Sequence, residues 1–148
     1  MCRASFRTAI ALASLLAVGC GGGSGTVTSP SATSIAGTWT GAFADTILGP
    51  NPSTWVVQQS SSAVSGTFTI QAPLATGKGT ISGTISGTTV TWSGAIAAGG
   101  FPAPFQNCVG TASGTLQLSG TKLTGPYSLQ SGSGCSPPNI NSTGPLCQ

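Results

Sequence analysis

Histidine and glutamate are absent from this 148-residue chain, and after Arg7 only Asp45, Lys78 and Lys122 carry charge. That scarcity removes most side-chain proton transfer, which draws on His, Glu, Asp or Lys with a tuned pKa. Serine nucleophiles need a base beside them, and neither lysine sits in a recognisable serine motif. The sequence therefore reads as that of a non-enzyme with no cofactor. The positive net charge lies mostly in Arg3 and Arg7; beyond Cys20 two lysines face one aspartate. Two separated lysines make no basic stripe for phosphate contacts, which argues against nucleic acid as a partner. Cysteine spacings are not CxxC-like and histidine is missing, so no metal site is expected.

Long hydrophobic runs are lacking too. The longest, TAIALASLLAVG at 8–19, follows two arginines and is too short for a permanent membrane span, so residues 1–19 read as a signal peptide. Residues 20–34 follow as a Gly-, Ser- and Thr-rich flexible linker. The segment Leu16-Ala17-Val18-Gly19-Cys20 resembles the lipobox of bacterial lipoproteins. The resemblance implies lipidation of Cys20 and, with Gly21 rather than aspartate behind it, attachment to the outer membrane. Acyl chains contribute about 0.8 kcal/mol per buried methylene, and several together anchor stably. Ala17 and Gly19 also suit an ordinary signal peptidase, which leaves plain secretion as the alternative.

What is abundant is alternation. The unit apolar-x-Gly-x-apolar recurs at Val64–Phe68, Ile81–Ile85, Trp92–Ile96, Ala112–Leu116 and Leu123–Tyr127, with Ser or Thr at most outward positions. Such alternation marks half-buried antiparallel strands. With Gly37–Phe43 and Ser53–Gln59 it predicts strands over 36–44, 54–60, 63–71, 78–86, 88–97, 108–118 and 122–130. The expected class for 35–148 is all-β: an up-and-down meander of seven to eight strands closed into a small barrel, with a β-sandwich as the alternative. Open edges on uncharged, Thr-rich strands would aggregate, and closure removes them. The inward glycines either serve coiling or leave room for a ligand between large residues.

In a meander the connections alternate between two ends. Tight polar turns fall near 60–63, 86–88 and 119–121. At the other end lie long Pro-rich or apolar loops over 44–53, 72–77 and 98–107, and the tail after Gln130. The linker enters at the tight-turn end, so the long loops point away from a membrane. Cys108, Cys135 and Cys147 all belong to the long-loop end. A hairpin turning near Gly120 sets Cys108 opposite Ser133, making Cys108–Cys135 the first choice of disulfide. Pairing of Cys135 with Cys147 and an unpaired Cys147 remain the alternatives. Barrel mouths are recurrent ligand sites, and Asp45, Ile47, Leu48, Trp55, Phe101 and Phe105 are the candidate contacts. Phe101 and Phe105 also suit a plug, and Trp39, Trp55, Trp92 and Tyr127 suit the core.

Gly37-Thr38-Trp39, followed by Val64-Ser65-Gly66-Thr67-Phe68, resembles the opening of avidin-type and lipocalin-like barrels. It implies architecture and carries no ligand. The Gly- and Thr-rich repeats behind a lipobox are also similar to those of Gram-negative envelope lipoproteins. Two function classes follow: a module binding a small apolar ligand or an extracellular protein at the distal mouth, or a structural and adhesive envelope protein meeting polysaccharide or copies of itself through hydroxyls.

Overall fold

A computed structural model describes residues 33–47, 49–132, 134–136, 138 and 140–148. The alternating segments form eight antiparallel strands: β1 (Gly37–Asp45), β2 (Gly49–Ser60), β3 (Ala63–Gln71), β4 (Thr76–Ser86), β5 (Thr89–Ile96), β6 (Gly110–Ser119), β7 (Lys122–Ser131) and β8 (Asn141–Cys147). Each pairs with the next, and β8 returns to β1, closing the barrel. The expected meander and its closure are thus what the chain adopts.

Strand faces follow the pattern of residues. Trp39, Phe43, Trp55, Val57, Val64, Phe68, Ile81, Ile85, Val90, Trp92, Leu116, Leu123, Tyr127 and Leu146 are buried inside, as the apolar face of each strand requires. The glycines that share this face are there for geometry. A Cβ on Gly66, Gly83, Gly114 or Gly125 would strike the backbone carbonyl of an adjacent strand, at Val56, Thr91, Pro126 and Thr115 respectively. Only a hydrogen side chain lets neighbouring strands coil so tightly. The outer wall is Ser and Thr: of the exposed large apolar residues, Ile47, Val56, Leu74 and Val109, only Val56 lies within a strand.

The two ends differ. At one end, two-residue turns follow β2, β4 and β6, and the first residue of each has positive φ: Ser61 55°, Gly87 59° and Gly120 61°. That is the demand of the hairpin turns that match strand twist. The same end is sealed by Ile35, which is 2% exposed. Gln59 holds this plug by accepting from the Ile35 N–H at 2.8 Å and donating to the carbonyls of Thr33 and Ser61. Trp39 Nε1 donates to the Ile35 carbonyl at 2.8 Å.

Three expected boundaries are corrected. The loop expected over 44–53 contracts to a short connection with Thr46 and Ile47 in a turn, because β1 reaches Asp45 and β2 begins at Gly49. Pro50 and Pro52 are accommodated there because β3 ends at Gln71, leaving this part of β2 paired only to β1. The tail contributes β8, and β6 starts at Gly110 because Cys108 is held in the preceding loop. Cys108 and Cys135 lie at disulfide distance, with sulfurs 2.05 Å apart. The Cys135–Cys147 alternative is therefore not formed, and Cys147 is not an unpaired thiol, being disulfide-bonded as well.

The closing seam is short. Only Ala42↔Cys147 and Phe43↔Leu146 pair β1 with β8. Pro145, which has no N–H to offer, stands next in that register. Beyond Cys147 the backbone of Gln148 continues the pairing with β7, exchanging two hydrogen bonds of 2.8 Å with Leu123. Its buried side chain donates to Ser53 Oγ inside the barrel.

Candidate functional site

Four aromatic rings divide the interior. Phe43 and Tyr127 meet edge to face with centroids 4.9 Å apart, Trp55 and Trp92 do the same at 4.8 Å, and Phe43 bridges to both tryptophans at 6.2 Å. Contacts of this kind add about 0.5–1.5 kcal/mol each beyond area burial. On the turn side of this layer the barrel is packed solid by Ile35, Val64, Ile85, Val90, Leu116 and Leu123. On the long-loop side it opens into a cavity of about 390 Å³.

Phe43 and Tyr127 form part of the lining, with Phe68, Ile70, Ile96 and Leu129 along the walls. Phe101 and Phe105 line the mouth, half-buried, rather than filling the interior. They are carried by a loop with its own hydrogen bonds: Lys78 N–H to Gly100 O, Gly99 N–H to Gln106 O, Phe105 N–H to Pro102 O and Cys108 N–H to Phe105 O, between 2.6 and 2.9 Å. Gly77 admits the Phe101 ring, which a Cβ there would approach to 2.6 Å. The Cys108–Cys135 pair ties this loop to the one before β8, and both cysteines line the cavity. Such a volume and lining suit a small organic ligand.

Asp45, expected in an open loop, is the last residue of β1 and 7% exposed. Its Oδ1 accepts from the Ile47 N–H at 2.8 Å, and Oδ2 accepts from the hydroxyls of Tyr127, at 3.1 Å, and Ser142. Burial, then the charge of Asp45 and the hydrogen bond to it, push the Tyr127 phenol well above the usual tyrosine range. Tyr127 is therefore a fixed donor. Asp45 lines the cavity and caps the β1–β2 turn, which makes it a buried wall group and not a solvent-facing anchor.

Of the residues expected at the site, the structure brings together Asp45, Phe101, Phe105, Cys108 and Cys135. Trp55 is core, 2% exposed and outside the lining, while Ile47 is 57% exposed in the turn. Leu48 and Cys20 lie outside the described residues. Asn51, Phe68, Ile70, Leu129 and Ile140 were not among the sequence candidates, yet all line the cavity. Which strand ends reach the same height is set by register, which alternation does not reveal.

A second depression, about 560 Å³, lies on the outer wall. A row of hydroxyls crosses it in register, Ser82↔Ser93↔Ser113↔Ser128↔Thr143, from β4 to β8. No charged side chain lines it.

No family model, curated protein or solved structure matches the chain, so the reading of these sites rests on their own chemistry.

Proposed function

We propose that this protein is a non-enzymatic envelope lipoprotein, anchored through acylated Cys20 to the outer membrane, that binds a small apolar ligand in the cavity at its long-loop end. The observation that carries the reading is a hollow, predominantly apolar upper half above a solid lower half. Ile35 and the start of β1 are at the closed end, so a linker from Cys20 would leave the mouth facing away from the membrane.

Nile red, a neutral apolar dye, tests the site. Trp92 lies beneath the cavity, 3.2 Å from where a Cβ of the lining residue Gly94 would stand. Bound dye should gain emission and quench tryptophan fluorescence, with saturation at one dye per chain. No saturable binding would sink the ligand-binding reading. The anchor has its own test. Mass spectrometry of the mature chain should find a diacylglyceryl thioether on Cys20; a Cys20–Cys147 disulfide there would overturn lipidation.

The outer hydroxyl row favours a second reading, adhesion to neutral polysaccharide. Retention of the protein on insoluble neutral glycan, abolished by Ser113→Arg in the middle of the row, would support it over ligand uptake.

A further inference from the structure

The buried polar side chains of the cavity wall, Asp45, Asn51 and Tyr127, present acceptors, and their donors are already committed. Asp45 and Asn51 are diagonal neighbours on the inward face of the β1–β2 hairpin, where Asp45 pairs with Gly49 and Phe43 with Asn51. Asn51 is 2% exposed; its Nδ2 donates to the Gly49 carbonyl at 2.9 Å, and its Oδ1 has no partner. A buried acceptor left unsatisfied is unfavourable, and a donor that reaches it recovers the loss. Trp55 Nε1, Trp92 Nε1 and Gln148 Oε1 are also unpartnered, but none of these three residues lines the cavity.

The fully buried donors nearby are committed. The Tyr127 and Ser142 hydroxyls both point their protons at Asp45 Oδ2. Ser131 Oγ accepts from the Ile140 N–H and keeps its own proton, but it stands half-buried near the rim, where Thr111, Gln130 and Ser136 are exposed. Neither Lys78 nor Lys122 is part of the lining. An anionic head entering here would approach a carboxylate with no lining cation to offset it. A donating head meets the opposite situation, with the Asp45 carboxylate and the unpartnered Asn51 Oδ1 as acceptors on one side of the cavity.

We propose that the cavity selects amphiphiles by head group, taking primary alkylamines ahead of alkanols and rejecting alkanoic acids. The proposal rests on the ligand-binding reading above and specifies which end of the ligand is recognised. The apolar tail lies against Phe68, Ile70, Ile96 and Leu129, while the head sits against the Asp45–Asn51 side.

The test is displacement of Nile red from the full chain by decylamine, decanol and decanoate at neutral pH, with the tail held constant. Decylamine should compete at least about tenfold better than decanoate, the difference one well-placed hydrogen bond to a charged group supports. In Asn51→Leu the margin between amine and alcohol should fall to within about threefold. In Asn51→Asp, where the acceptor becomes a carboxylate, the margin should widen. Equal competition by the three head groups, or preference for decanoate, overturns the head-group proposal while leaving dye binding intact. Failure of Nile red to bind the wild-type chain overturns both readings. If Asn51→Leu does not fold, the wild-type series and Asn51→Asp still decide the outcome.

Discussion

Single residues carry two conflicts that can be measured. Ser61 holds φ of 55° at the turn position where the sister turns have Gly87 and Gly120. A Cβ there is strained, and replacing it with glycine relieves the strain at a modest entropic cost. Ser61→Gly should stabilise the barrel by about 1 kcal/mol in urea unfolding without altering the m-value. Tyr127, the single tyrosine of the chain, donates to Asp45 and has its pKa raised by the fold. The unfolded chain ionises this phenol near pH 10 and the native chain does so higher. Stability is therefore unaffected below about pH 10 and falls as pH rises above it, where the unfolded state binds fewer protons. Tyr127→Phe should abolish that share of the alkaline slope and cost about 2 kcal/mol at neutral pH, since Asp45 loses a buried hydrogen bond. An absorbance titration at high pH against unfolding curves checks both.

At the scale of elements, the loop between β5 and β6 is where stability and binding meet. The Cys108–Cys135 crosslink spans 27 residues, for which chain entropy gives about 3 kcal/mol. Replacing both cysteines by alanine should lower stability by about that amount and weaken Nile red binding, because both cysteines border the cavity. Loss of stability with unchanged dye affinity would mean the loop shapes the mouth without the crosslink. Strands were legible where alternation ran uninterrupted: β3 has the expected bounds, and β7 extends one residue past them. The first half of β2 and all of β8 were hidden by Pro50, Pro52 and Pro145, which read locally as loop. Those prolines are tolerated where a strand has a partner on one side only or where the seam already ends. The site was legible to the extent that its residues stand on loops, as Phe101 and Phe105 do. Asn51 was masked by its flanking prolines, and Phe68 and Leu129 by their resemblance to ordinary core residues.

Considered as a whole, the molecule is half core and half container. Ala112 is a small side chain on a strand wall of the hollow half, half-buried and lining the cavity. Ala112→Phe should fill that space, reducing dye affinity at least about tenfold while the solid half keeps the barrel folded. Unchanged affinity with intact folding would place the dye elsewhere. One further property follows from the two-pair seam between β1 and β8. Every other pairing joins strands adjacent in sequence, so the growing sheet can form by successive local hairpins. Closure alone must bring together segments about a hundred residues apart, and it gains few hydrogen bonds in return. The barrel should consequently close last, after an open eight-stranded sheet has assembled with β1 and β8 exposed. During that interval two such sheets can join edge to edge. Refolding yield should therefore fall with protein concentration, although the finished barrel presents no continuous strand edge.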